Sequence, residues 1–154
     1  MQKGRVGARV WRVDDGTDTN SARFAVERHQ IGSGREIGIA ISVAQPVETQ
    51  ARQYIANELA SLGELVTFSL PDGTGHQVVS GGGHAAALAE QVAQVVRQAK
   101  QGDPDAIVHV FAAVPNSLMF YLGQHHQSIA PCIIYEFDFD RRANKSYQPS
   151  FVID

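Results

Sequence analysis

Residues 106–126, AIVHVFAAVPNSLMFYLGQHH, contain the pattern that decides the fold. Residues 106–113 are almost all apolar, which is typical of a parallel strand covered by helices on both faces. Pro115 is unable to continue a hydrogen-bonded central strand, so the chain turns there. Asn116 and Ser117 follow, and side chains of this type often cap the amino end of a helix. The stretch therefore predicts a strand, a sharp turn and a helix at the centre of an α/β sheet.

The segments on either side repeat this alternation. An apolar stripe formed by Val47, Ala51, Tyr54, Ile55, Leu59 and Leu62 predicts a helix, and Gly63 is expected to end it. Alternating strands and helices indicate an α/β domain of three layers with a mainly parallel sheet, and predict a four-strand parallel core. The predicted strands are residues 37–43, 65–70, 106–113, 132–139 and 151–153, and the predicted crossover helices are residues 47–62, 84–100 and 116–127. Residues 141–149 are expected to form a polar loop.

Residues 1–35 are expected to form a short β segment and a linker, apart from the main unit at residues 36–154. Segments 6–13 and 22–29 flank the turn-rich DDGTDTNS and are candidates for a hairpin. This part of the chain is locally basic. Its arginines suit either a phosphate-bearing partner or an ordinary solvated surface, and the sequence leaves both interpretations open.

Composition favours a single domain, since 154 residues with 44 % hydrophobic content provide one core. The net charge is −3, and the acidic excess in residues 36–154 disfavours binding of long nucleic acid. We find no signal peptide and no segment of membrane-spanning length, so a cytoplasmic location without membrane contact is expected. Cys132 lies in an apolar run, where a buried, unreactive thiol is expected.

A polar crevice is expected where the carboxyl ends of the strands at residues 37–43 and 106–113 meet. If the strand order reverses between these strands, their following loops flank the switch point, where open α/β sheets bind ligands. The candidate ligand-binding residues on these loops are Ser42, Ala44, Gln45, Pro115, Asn116 and Ser117. Plain helix capping by Asn116 and Ser117 is the competing interpretation of the second loop.

A second candidate segment precedes the predicted helix at residues 84–100. Backbone N–H groups in a glycine run can approach phosphate closely, and the segment is also placed to close over the crevice as a lid. No Walker loop or GxGxxG pattern accompanies it, so a flexible loop is the competing interpretation. The candidate residues are Ser80, Gly81, Gly82, Gly83 and His84.

The sequence predicts no catalytic residue, no metal site and no cofactor. It contains no serine nucleophile elbow or catalytic cysteine motif, and its six histidines lack ligand spacing. Glu136, Asp138 and Asp140 alternate with aromatic residues along one strand. This row suits a divalent ion, but a solvated strand face opposite an inward aromatic face explains the same alternation.

A family resemblance goes further than these patterns. The run EIGIAISVAQPV, then GGGHAAALAEQVAQVV, IVHVFAAVPNSLMFYLGQ, IIYEFDF and SYQPSFVI, resembles the C-terminal part of the SAVED domain. The domain is named for being SMODS-associated and fused to various effectors. The resemblance covers about residues 36–154 and is carried mainly by the AAVPNSLMFYLG segment and by YEFD followed by YQPSF.

The resemblance implies a Rossmann-like, CARF-like lobe that binds a cyclic oligonucleotide, of the cyclic oligoadenylate type, in CRISPR or CBASS-type antiviral defence. It also implies an effector on the same or another chain that is activated by assembly, as a homo-oligomer or a hetero-complex. A full SAVED domain has two such lobes, and only one is recognised here. The alternative is a small nucleotide-processing enzyme, such as a ring nuclease, for which the sequence offers no assignable nucleophile or base.

Overall fold

The computed structural model describes residues 21–138 and 147–154. Within them, strands and helices alternate over most of the chain. The strands are β1 (Ala25–Gln30), β2 (Glu36–Ser42), β3 (Leu62–Ser69), β4 (Val108–Ala113), β5 (Cys132–Phe137) and β6 (Tyr147–Ile153). The helices are α1 (Glu48–Glu58), α2 (Gly82–Ala99), α3 (Asn116–Gln124) and α4 (His126–Ile129).

These strands form one sheet in the order β1-β3-β2-β4-β5-β6. The inner strands β3, β2, β4 and β5 pair in parallel, whereas β1 and β6 pair antiparallel at the two edges. The predicted α/β class with a four-strand parallel core is confirmed, and the edges add an antiparallel part. From β2 the chain goes to β3 on one side and then to β4 on the other. The predicted reversal of strand order therefore lies between β2 and β4.

Helices cover both faces of the sheet, which gives the three layers predicted from the sequence. On one face, α2, α3 and α4 pack on side chains such as Ile39 and Val108. On the other face, α1 packs on Leu65 and Phe111 through Ala51 and other apolar residues. Because both faces are covered, apolar side chains occupy successive positions in β2 and β4, without the polar alternation of a half-exposed sheet.

One predicted boundary is wrong: α1 ends at Glu58, and Gly63 does not close it. Leu62 and Gly63 instead belong to β3. A Cβ atom on Gly63 would lie 2.0 Å from the carbonyl oxygen of Gly34, so two backbones pass each other there. The glycine is required for this close approach rather than for a helix end.

Other boundaries differ by shorter distances. The helix predicted at residues 116–127 ends at Gln124, and the short α4 follows it. The strand predicted at residues 106–113 begins at Val108, β5 ends at Phe137, and β6 starts at Tyr147, inside the predicted polar loop. Pro149 fits in β6 because an edge strand leaves one row of hydrogen-bonding groups unpaired.

The N-terminal strand prediction is only partly within the described residues. The strand predicted at residues 22–29 is observed in part, as β1 at residues 25–30, which pairs antiparallel with β3. Its predicted hairpin partner, residues 6–13, and the turn DDGTDTNS lie outside the described residues.

Of the three carboxylates in the predicted alternating row, Asp140 lies outside the described residues as well, whereas Glu136 is exposed and Asp138 is buried. No group of three metal-ligating side chains occurs within residues 21–138 and 147–154. The helices within these ranges include none that is both long and apolar enough to cross a membrane.

A chain of polar side chains crosses the core on the α1 side. The hydroxyl of Tyr135 lies 2.8 Å from Nδ1 of His109, and Nε2 of His109 lies 2.6 Å from the carboxylate of Glu36. The hydroxyl of Ser61 donates to the same carboxylate. His109 is buried, yet each of its ring nitrogens has a partner, as buried polar groups require.

Alkaline pH is expected to destabilise this arrangement. Burial, with smaller contributions from Tyr54 and Glu36, raises the pKa of Tyr135 from 10.0 to about 12. Burial likewise raises the pKa of Tyr147 to about 12. Below pH ~10 both phenols are protonated in the folded and unfolded states, so stability is fully retained. Above that pH the unfolded state loses its protons first, and stability falls until the folded state titrates near pH 12.

Urea unfolding between pH 9 and 11.5 measures this loss. The urea midpoint of the wild-type chain is expected to fall with pH over the upper part of that range. Tyr135→Phe removes one of the two groups, so its midpoint should fall less steeply, whatever its starting stability. A slope equal to that of the wild type would contradict the assignment to Tyr135.

Candidate functional site

The loops after β2 and β4 meet at the carboxyl edge of the sheet. Ser42 and Ala113 are paired at the ends of these strands. The carbonyl of Ala113 then accepts hydrogen bonds from the N–H groups of Val43 at 3.0 Å and Ala44 at 2.7 Å. The loop after β3 joins them, because the N–H of Gly75 donates to the carbonyl of Val43 at 2.9 Å. Three loops are thus held together beside the switch point, as predicted.

Ser42 anchors the first of these loops. Its side chain is buried, and its hydroxyl accepts a 3.1 Å hydrogen bond from the N–H of Val47, just before α1. A hydroxyl still has one hydrogen to donate, so this bond does not use the donor of Ser42. Ala44 is half-buried and its N–H is used within the loop, whereas Gln45 is exposed.

The second loop leads directly into α3. Pro115 precedes the helix in an extended conformation, and its carbonyl accepts the first helical hydrogen bond, from the N–H of Met119 at 3.1 Å. No side chain caps α3, so the capping interpretation of Asn116 and Ser117 is wrong. The physical reason is that both residues already lie inside the first turn, beyond the capping position.

Asn116 and Ser117 therefore keep their polar groups available. Asn116 is exposed and Ser117 is half-buried. Neither side chain forms a hydrogen bond with any residue in the described part of the chain. The N–H groups of the first helical turn also lack intrahelical acceptors, and they lie at the positive end of the helix dipole. Neutral donors and acceptors thus converge at one end of the crevice.

The glycine segment is held more firmly than a flexible loop. His84 is 2 % exposed, and its Nδ1 accepts a 3.0 Å hydrogen bond from the N–H of Ser80. Its Nε2 donates to the carbonyl of Ala22 at 2.6 Å. Both ring nitrogens are therefore engaged in positioning the chain. Gly81, Gly82 and Gly83 are buried, and α2 begins at Gly82 with Gly81 at its N-cap. The phosphate-cradle and lid roles of this segment stay predictions.

Contacts that the sequence did not predict attach residues 21–24 to α2. Gln91 accepts a hydrogen bond from the N–H of Phe24 at 2.8 Å, and donates to its carbonyl at 2.9 Å. The Phe24 ring packs against Phe68 with a centroid distance of 5.6 Å.

Sequence patterns did not single out Phe120 either. This side chain lies on α3 and is 63 % exposed, and only its outward position in the helix could have indicated it.

Comparison with known proteins decides the family. The profile of the SAVED family, the SMODS-associated and fused to various effectors sensor domain, matches residues 1–153. The chain belongs to the SAVED sensor-domain family. The resemblance seen in the sequence is confirmed, and the match extends further towards the N-terminus than residue 36, where that resemblance began.

One relative in sequence and one solved structure of similar fold illustrate the match. CD-NTase-associated protein 4 of Enterobacter hormaechei subsp. hoffmannii (strain UCI 50) is 36 % identical over 153 residues, which cover 99 % of this chain and 30 % of that protein. A solved Cap4 SAVED/CARF-domain containing receptor of Acinetobacter baumannii, in complex with the cyclic trinucleotide 3'3'3'-cAAA, superposes with a TM-score of 0.69. It is 16 % identical, and the match covers 91 % of this chain and 30 % of the receptor. The chain thus spans about a third of either protein, and the solved structure supports the SAVED/CARF-like fold.

Proposed function

We propose that this SAVED chain is a sensor module that binds a cyclic oligonucleotide second messenger, of the cyclic oligoadenylate type, at the crevice between β2 and β4. Membership in a sensor-domain family supports the class of function. The cyclic trinucleotide bound by the Acinetobacter baumannii receptor supports the class of ligand. The structural observation that carries the proposal is the pair of unpartnered polar side chains, Asn116 and Ser117, at the switch point.

The chemistry of the crevice suits such a ligand. Gln45 and Asn116 carry amides, and Ser42 and Ser117 carry hydroxyls, so each can both donate and accept hydrogen bonds. These groups complement base edges, ribose hydroxyls and phosphate oxygens. The amino end of α3 adds backbone N–H groups and a positive dipole end, which favour a phosphate. We infer that the ligand lies across Ala44 and Pro115 and that residues 80–84 border it.

Sensing is proposed to control an effector by assembly. The relatives are about three times longer than this chain, which leaves room in them for further domains. A ring-shaped ligand is enclosed better by two lobes than by one, since a single crevice leaves much of it in water. We therefore propose a CBASS-type defence role, in which ligand binding joins lobes and activates an effector on the same or a partner chain. Mass measurement with and without the ligand tests this step.

Titration against a panel of cyclic di-, tri-, tetra- and hexanucleotides tests the ligand class. At least one adenine-containing ring is expected to bind the wild-type chain. Asn116→Ala should weaken the binding of that ring by roughly 1–3 kcal/mol, because a ligand group loses its hydrogen-bond partner in a desolvated crevice. Isothermal calorimetry measures both affinities.

Asn57→Ala is the matched control. Asn57 is also an exposed helical asparagine, but it lies in the last turn of α1, away from the crevice. Its replacement should leave the affinity unchanged. Equal losses in both variants, or no loss in Asn116→Ala, would place the ligand elsewhere.

The competing function is hydrolysis of the ring. Both nitrogens of His84 are engaged by backbone groups, so this histidine is not free to act as a base. We accordingly expect intact ligand after long incubation, as judged by chromatography. Linear products formed by the wild-type chain would favour the enzyme instead.

A further inference from the structure

Phe120 is a large apolar side chain that the fold does not bury. It is 63 % exposed, whereas Leu118, Tyr121 and Leu122 of the same helix face the core. Its ring makes an edge contact with Tyr121 at a centroid distance of 5.9 Å. Packing within the described residues thus leaves much of the surface of this ring open to solvent.

The position of Phe120 relates it to the crevice. It lies one helical turn after Asn116, and residues four apart share one face of a helix. Helical side chains lean towards the amino end, so a long side chain covers the turn before its own Cα. The ring of Phe120 is therefore expected to lean over the turn that carries Asn116, beside the free N–H groups of α3.

A nucleobase is the partner that this arrangement suits. Single-stranded nucleotides bind proteins through hydrogen bonds to polar groups and through stacking of bases on exposed aromatic rings. Asn116 and Ser117 supply the polar groups, and Phe120 supplies an aromatic ring next to them.

We propose that Phe120 stacks on one base of the cyclic oligonucleotide and gives this position a preference for purines. The inference rests on the proposed function and adds a specificity-determining residue to it. A purine has a larger π face than a pyrimidine, so the stack discriminates between them without reading their edges. Asn116 holds the cyclic oligonucleotide in place, and Phe120 selects the type of base that lies beside it.

Titration of the full chain with 3'3'3'-cAAA, and with a ring of the same size in which pyrimidines replace all the adenines, tests the stack. Phe120→Ala is expected to lower the affinity for the all-adenine ring by roughly 5- to 150-fold, the usual effect of removing a stacking side chain. The same variant should lose most of the preference for the all-adenine ring. Phe120→Trp keeps an aromatic surface and should bind within about threefold of the wild type, since stacking tolerates different rings.

Phe151→Ala is the matched control, because Phe151 is an equally exposed phenylalanine, at 61 %, on the edge strand β6. It should bind the all-adenine ring as the wild type does. Unchanged affinity in Phe120→Ala, or an equal loss in Phe151→Ala, would overturn the stack. A defect in assembly with unchanged affinity would also overturn it, since Phe120 would then contact another chain.

Failure of the stack and failure of the proposed function give different results. If the wild type binds a ring and Asn116→Ala weakens it, but Phe120→Ala does not, only the stack is wrong. If the wild type binds no ring of the panel, both the function and the stack are wrong.

Discussion

Replacing Phe111 by alanine is expected to lower the free energy of unfolding by about 3–5 kcal/mol. Phe111 is fully buried in β4 and faces α1. Its ring stacks on Tyr135 at 4.6 Å and meets Tyr147 at 5.0 Å and Tyr54 at 5.9 Å. Removing the ring leaves a cavity that these three large side chains cannot close without leaving their own contacts. Urea unfolding followed by circular dichroism measures the loss.

Phe151→Ala removes the same atoms from an exposed site and controls for side-chain size. It should cost less than about 1 kcal/mol, since little buried area is lost. A loss below about 2 kcal/mol in Phe111→Ala would mean that the aromatic cluster relaxes into the space, contrary to close packing.

The variant Gly63→Ala is expected to lose about 3 kcal/mol, at the upper end of the usual penalty for overpacking. Its Cβ would lie 2.0 Å from the carbonyl oxygen of Gly34 and 2.9 Å from the carbonyl carbon. The obstacle is backbone, so no rotation of a side chain relieves it. The carbonyl of Gly63 also accepts hydrogen bonds from the N–H groups of Ile31 and Gly32, which holds the two segments together.

Gly123→Ala provides the opposite expectation with the same added methyl group. Gly123 is exposed in α3, and apart from its chain neighbours and the backbone of its own helix, no atom lies within 4 Å of the position of its Cβ. Alanine should therefore stabilise the chain by about 0.5–1 kcal/mol through its higher helix propensity. Thermal unfolding of the two variants should shift in opposite directions, and a neutral Gly63→Ala would contradict the observed strand crossing.

Attachment of residues 21–24 to α2 bears on the extent of the domain. His84 donates a hydrogen bond to the carbonyl of Ala22, and Gln91 forms two hydrogen bonds with the backbone of Phe24. This segment is therefore held against α2. The match to the SAVED family also begins at residue 1. Division of the chain at residue 35 stays a prediction, but β1 lies in the same sheet as the main unit.

Local patterns in the sequence determined the architecture of this protein. Apolar runs at residues 37–43 and 106–113 specify strands buried on both faces, and the stripe at Val47, Ala51, Tyr54 and Ile55 specifies a helix packed on one side. These patterns are local because burial of a strand or helix face repeats with the period of the element itself. The parallel core, its crossover helices and the loops at the crevice followed from them, and the resemblance identified the family.

Tertiary structure alone decided what individual side chains do. Gly63 has the sequence appearance of a helix end, yet its role is set by Gly34 on another segment. Asn116 resembles a capping residue, but Pro115 occupies that position, and the side chain of Asn116 stays available. His84 resembles part of a ligand loop, and its partners Ser80 and Ala22 fix it in place. Such roles depend on which distant backbone atoms arrive within hydrogen-bonding or van der Waals distance, and no local periodicity encodes those contacts.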